Sequence, residues 1–240
     1  MSAGRAGPAA DRAALARAQS LIAVRRWQQA LDVLGPGLAS PATAEQAYCL
    51  AAHSLLGLRR NRQARAAARQ ALTLNSASAT AHRLLAISYL RSRRLRRART
   101  AAAEAVRLDP HQVAGLHVLA ITHLALRQHG KARHAAHAAV MAGPHDPVAH
   151  LTLALVADYS RDWVTAEHAY REALRLNPGS CEAALALARF LRQRGRSAEA
   201  TEAFLAAGRN NPADPRPANG LLSLGRPWSR HITQPSRRDR

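Results

Sequence analysis

Apolar side chains recur along this chain in short helical blocks separated by polar turns. Within residues 79–112, Leu85, Ala86 and Tyr89 form one face, and Ala98, Ala101, Ala102 and Ala105 form another. Intervals of three and four residues place such positions on one stripe of an α-helix, so two amphipathic helices are predicted here. The pattern then repeats. Ala30, Ala64, Ala98, Ala132, Ala166 and Ala200 lie 34 residues apart, as do Ala18, Ala52, Ala86, Ala120, Ala154 and Ala188. A third series runs Ala71, Ala105, Ala139, Ala173 and Ala207, with Gly37 in its first place. Pro110, Pro144, Pro178 and Pro212 keep the same interval.

The chain therefore divides into six units, 11–44, 45–78, 79–112, 113–146, 147–180 and 181–214, each predicted to hold one helix pair. Proline closes the second helix of a unit, because its ring cannot sit in a helix interior. Ser78, Asp146, Ser180 and Asp214 stand where the next helix needs an N-cap, and Pro147 and Pro215 follow at the first helical position. The small residues mark close helix crossings, which a change such as Ala98→Leu would overpack. Residues 1–10 are expected to be a disordered N-terminus. Residues 215–240 are expected to form a partial cap running into a disordered basic tail. There Pro217 and Gly220 interrupt the helix expected after Asp214, while Leu221, Leu222, Leu224 and Trp228 remain to cover the last pair.

A 34-residue helix–turn–helix unit, small at its eighth, twentieth and twenty-seventh positions and proline at its thirty-second, resembles the tetratricopeptide repeat. The resemblance covers 11–214. It is strongest in 147–180 (Trp163, Ala166, Tyr170, Ala173, Pro178) and 181–214 (Gly195, Ala200, Phe204, Ala207, Pro212). Alanine replaces the usual glycine at the eighth position throughout, and the first unit has Pro41 one place early. The resemblance implies an all-α fold, a right-handed α-solenoid of stacked antiparallel helix pairs. It also implies a non-catalytic scaffold or adaptor that takes a peptide or helix of a partner protein in its concave groove.

In that family the first helix of each unit lines the groove through its second, fifth, ninth and twelfth positions. Here those positions supply Cys49, His53 and Leu56, then Arg83, Ile87 and Leu90, then His117, Ile121 and Leu124, then Leu151 and Leu155. The last unit offers Glu182, Arg189 and Arg192. The central part of this set is an apolar floor with Arg83 and His117 beside it, suited to an amphipathic helix or an extended peptide with apolar anchors. Tetratricopeptide co-chaperones that hold a C-terminal carboxylate use asparagine and lysine on these helices. That clamp is absent, since the single lysine, Lys131, falls outside the groove positions.

Charge changes the picture locally. The 240 residues carry 35 Lys+Arg against 15 Asp+Glu, a formal net charge of +20. An apolar share of 48% is too high for a disordered polycation. No apolar run is long enough to span a bilayer. Charges scattered through the first 27 residues leave no apolar core for a signal peptide. Cys49 and Cys181 cannot make a disulfide framework, and a reduced, cytoplasmic location is expected. The net charge is +11 over residues 45–103, +5 over 215–240 and zero over 147–214. Arg25, Arg59, Arg93, Arg127 and Arg161 share the fifteenth position of their units, just past the first helix, where a cation stabilises the helix C-terminus. Together with Arg60, Arg91, Arg94, Arg96, Arg97 and Arg99, Arg59 and Arg93 read as a basic ridge. This gives an alternative function: a docking module for nucleic acid, acidic protein segments or an anionic membrane surface. Aromatic platforms for single strands are scarce there, with only Tyr48 and Tyr89 in the second and third units.

Other chemistry is not indicated. Eight of the 12 histidines fall between His111 and His150, and His134 and His137 are three apart on one helix. No carboxylate or cysteine completes a ligand set beside them, so neither metal nor cofactor is expected. Nucleophile elbow, phosphate-cradling glycine loop, zincin helix and paired catalytic carboxylates are all missing, and no enzyme is expected.

Overall fold

A computed structural model of the chain describes residues 8–35, 41–212 and 214–225. The expected disordered N-terminus, residues 1–10, lies outside those residues as far as residue 7, while residues 8–10 are helical and open α1; Gly37 and the basic tail from 226 onward with Trp228 also lie outside. Among the described residues all regular structure is helical. The order is α1 (Pro8–Ala23), α2 (Trp27–Leu34), α3 (Pro41–Gly57), α4 (Asn61–Leu74), α5 (Ala79–Arg91), α6 (Leu95–Leu108) and α7 (Val113–Ala125). It continues with α8 (His129–Ala142), α9 (Pro147–Tyr159), α10 (Trp163–Leu176), α11 (Cys181–Gln193), α12 (Ser197–Asn210) and α13 (Pro215–Leu222). From Trp27 to Ser197 the even-numbered helices begin 34 residues apart, as do the odd-numbered ones from Ala79 to Pro215. The fold class is the predicted all-α one, with neighbouring helices packed in pairs within each of two units.

The chain forms two compact units, residues 1–128 and 129–240. In the first, α1, α3, α5 and α7 lie side by side, each of α1, α3 and α5 also packing on the helix that follows it. In the second, α9, α11 and α13 lie side by side in the same way, with α10 and α12 behind them. Both cores are built from small side chains. Every alanine of the three repeating series is at most 1% exposed. Each unit adds a few larger groups: Leu84, Leu85 and Tyr89 in the first, and Tyr170, Phe190, Leu191 and Phe204 in the second. Where alanine stands at each crossing, helix axes approach closely and bury backbone as well as side chains.

The predicted caps form. The Ser78 hydroxyl accepts from Ala81 N at 3.2 Å, Asp146 from Val148 N at 2.7 Å, Ser180 from Ala183 N at 3.2 Å, and Asp214 from Arg216 N at 2.9 Å. Each satisfies one of the donors that the first turn of a helix leaves open.

The C-terminal end corrects the sequence reading. Pro217 and Gly220 do not interrupt a helix; both lie inside α13 and both are buried. Pro217 is the third helical residue, where the missing N–H had no partner in the helix to lose. Gly220 sits under the Phe204 ring, and a Cβ there would overlap Phe204 Cε1 and Cζ. The start of α13 is fixed by charge, with Arg216 reaching Asp214 at 2.7 Å and Glu182 at 3.1 Å. The Arg216 guanidinium holds the Asp214 carboxyl well below its ordinary range, at about 2. Because the folded pKa is depressed, this stabilisation is complete above the unfolded value of 3.8 and is lost as pH falls toward 2. Thermal unfolding of the second unit should lose about 1–2 kcal/mol across that window, and Asp214→Asn should flatten the dependence.

Candidate partner-binding surfaces

The predicted groove residues all belong to odd-numbered helices. In the first unit, α3 contributes Cys49, His53 and Leu56, α5 contributes Arg83, Ile87 and Leu90, and α7 contributes His117, Ile121 and Leu124. Leu151 and Leu155 lie on α9 in the second unit. Ile87, Leu90, His117, Ile121, Leu151 and Leu155 are all partly exposed. Leu124 is not part of the surface: it is 6% exposed and supports the floor from below, as do Cys49 and Leu56.

Arg83 is the unusual member of this set. Its guanidinium is partly buried, its Nε has no hydrogen-bond partner, and it makes no ion pair among the described residues. Loss of water holds its pKa below the ordinary arginine range. Its titratable neighbour is Cys49, which is held by Glu45. Glu45 Oε1 accepts from the Ser78 hydroxyl at 2.5 Å and from the Cys49 thiol at 3.2 Å. Burial, followed by Glu45, pushes the Cys49 thiol up to about 12, so it remains protonated and unreactive. His53 lies against Trp27 of α2, with ring centroids 5.8 Å apart and planes tilted by 39°.

The eight arginines predicted as one ridge occupy three settings. Arg91 is not free, because its Nη1 donates to the Leu56 carbonyl at the end of α3. Arg96, Arg97 and Arg99 project from α6, all exposed. Arg59, Arg60, Arg93 and Arg94 form the turns between paired helices. In these turns the backbone holds a feature missed in the sequence. Arg25, Arg59, Arg93, Arg127 and Arg161 all adopt positive φ, between 58° and 62°. Gly195 holds the same place in the sixth unit, at 74°. Left-handed backbone is easy for glycine and costly for any residue with a Cβ. The glycine sharing a position with five arginines was the available signal. The following residues, Arg26, Arg60 and Arg94, occupy the N-cap of the second helix without capping it, whereas Asp162 caps α10 through Thr165 N at 3.2 Å.

Among the described residues, no three His, Cys, Asp or Glu side chains stand close enough to hold a metal ion, and His134 and His137 are both exposed. No helix among them is long and apolar enough to cross a membrane.

A family profile for the tetratricopeptide repeat matches residues 49–113 and 151–215, just over half of the chain. The chain belongs to the tetratricopeptide repeat family. No curated protein matches it in sequence. Among solved structures, this tetratricopeptide chain is similar to a thermophilic TPR protein of Thermus thermophilus. The TM-score is 0.70 and the identity 26%, covering 75% of this chain and 100% of the other. It is also similar in fold to PilW, a type IV pilus biogenesis factor, with TM-score 0.66, 18% identity, and 90% and 100% of the two chains covered. A third similar structure is pilF of Pseudomonas aeruginosa, with TM-score 0.61, 17% identity, and 89% and 97% covered.

Proposed function

We propose that this tetratricopeptide protein is a non-catalytic cytoplasmic adaptor that binds an extended or helical segment of a partner protein through its odd-numbered helices, with α3, α5 and α7 of the first unit at the centre. The observation that carries this reading is the combination of a partly exposed apolar row, Ile87, Leu90 and Ile121, with Arg83, whose Nε is buried without a partner. A buried donor left open is costly, and a rotation of the partly exposed Arg83 side chain toward a carbonyl or carboxylate of a bound segment would satisfy it. Apolar anchors flanked by one directional polar group are what peptide-binding grooves use to fix register. Leu151 and Leu155 supply a second apolar pair on α9.

Affinity capture from native lysate, with nuclease treatment and a salt series from about 0.05 to 0.2 M, tests the proposal. Ile121→Glu combined with Leu155→Glu should abolish capture at every salt concentration. A second reading, docking through the arginine turns, is favoured by the concentration of charge in residues 45–103, +11 in all. It predicts instead that Gln at Arg93, Arg94, Arg96 and Arg97 abolishes capture, and that salt does the same.

A further inference from the structure

The repeats provide an internal comparison for the unpaired charge. In the second unit, Arg196 Nη1 meets Glu167 at 2.7 Å and its Nη2 meets Glu199 at 2.6 Å. Arg171 completes the group, 2.6 Å from Glu167 and 3.5 Å from Glu199. Two arginines and two carboxylates thus alternate and neutralise one another. Three repeats earlier, the same four positions hold Arg94, Arg65, Arg97 and Arg69. Both carboxylates are replaced by arginine, while Arg94 keeps the backbone of Arg196, with φ −88° and ψ 61° against −82° and 65°.

The first unit brings Arg65, Arg69 and Arg97 to the surroundings of Tyr89. Arg69 Nη2 donates to Tyr89 Oη at 2.9 Å, and the Arg65 guanidinium lies 5.5 Å from the Tyr89 ring centroid. Arg97 and Tyr89 both line a cleft of about 700 Å³ whose apolar wall is Leu85, Ala101 and Leu108. The one carboxylate in that lining, Glu104, is bound by Arg107 at 2.7 Å. None of the four arginines makes an ion pair among the described residues. No acid occurs between Glu45 and Glu104 to supply one locally.

We infer that the α4–α6 side of the first unit is a binding site for an acidic protein segment, whose paired carboxylates supply the negative charge that Glu167 and Glu199 supply in the second unit. An apolar side chain of the same segment enters the cleft beside Tyr89. The occupant is defined by this precedent: in this protein, arginines at these positions are satisfied by carboxylates arriving in pairs, in the forked geometry guanidinium prefers. The site is lined by α4 and α6 together with Leu85 and Tyr89 of α5, and it uses none of the groove positions Arg83, Ile87 and Leu90. It narrows the arginine-turn reading to one location and one ligand class.

The probe is a short fluorescein-labelled peptide of glutamate pairs separated by leucines, titrated by anisotropy, with its glutamine analogue and oligo(dT) in parallel arms. Wild type should bind the glutamate peptide and not the glutamine analogue. Arg65→Glu with Arg97→Glu rebuilds the self-neutralised arrangement around Arg94. It should weaken binding by at least about tenfold and raise the thermal midpoint. Arg65→Gln with Arg97→Gln should also weaken binding, with an unchanged helical circular-dichroism spectrum. Ile121→Glu should leave it intact. The proposal is overturned if wild type does not bind the peptide, if the Glu double variant binds as wild type does, or if oligo(dT) binds more tightly at equal charge. Binding of oligo(dT) that is lost with Gln at Arg59, Arg60 and Arg93, but kept in the Arg65→Glu, Arg97→Glu variant, would leave the arginine-turn reading standing without this site.

Discussion

Phe204→Ala should be the most damaging single truncation in the second unit, costing about 3–5 kcal/mol in urea or thermal unfolding. Phe204 is 1% exposed and belongs to the core that includes Tyr170, Phe190, Leu191 and Leu221. Its ring also forms the seat for α13, because Gly220 packs flat against it. Three Phe204 ring atoms occupy the space that a Gly220 Cβ would need. Gly220→Ala in the wild-type background therefore cannot be accommodated without moving the ring or lifting α13, and should cost about 1–3 kcal/mol. In the Phe204→Ala background the same methyl enters vacated space and should cost little. A double-mutant cycle measures the difference as a coupling energy. Strict additivity of the two changes would show that α13 is held by something other than this contact.

That contact also shows where the sequence was readable and where it was not. The helix pairs were legible because alanine at fixed places in a 34-residue period has a geometric cause, close helix crossing, that acts the same way in every repeat. The caps at Ser78, Asp146, Ser180 and Asp214 were legible for a similar reason, since each satisfies a local need of its own helix. α13 was not, because Pro217 and Gly220 are unfavourable by residue type and acceptable only by position. Pro217 lies in the first turn, and Gly220 lies against a ring from another helix. Among the candidate groove residues, position within the repeat located Ile121 and Leu124 equally well. Only packing on neighbouring helices separates them, leaving Ile121 partly exposed and Leu124 buried. The unpartnered Arg83 Nε was likewise invisible, because it depends on which polar atoms the neighbouring helices bring within reach, and not on the local sequence.

Replacing Arg25, Arg59, Arg93 and Arg127 together with glycine should stabilise the first unit slightly, by less than about 1 kcal/mol in all. Two effects act on these residues with opposite sign. As cations just past a helix C-terminus they gain about 0.3–1 kcal/mol each from the helix dipole. As residues with a Cβ held at φ of 58–60° they pay roughly 1–2 kcal/mol each. Glycine removes both terms and adds back about 0.5–1 kcal/mol of unfolded-chain entropy. The net gain at one site is small, but each turn belongs to a different repeat, and stabilities in stacked repeats sum. Arg→Ala at the same four sites separates the terms. Alanine removes the charge and keeps the strained backbone, so that variant should fall below wild type while the glycine variant rises above it. If the dipole dominated, both variants would lose stability together, and the arginine series would be explained by helix electrostatics. The expected opposite signs would instead mean that arginine persists, in five successive turns, at a position where the sixth repeat shows glycine to be the less strained choice. The reason for its persistence would then lie in what the exposed guanidinium groups bind.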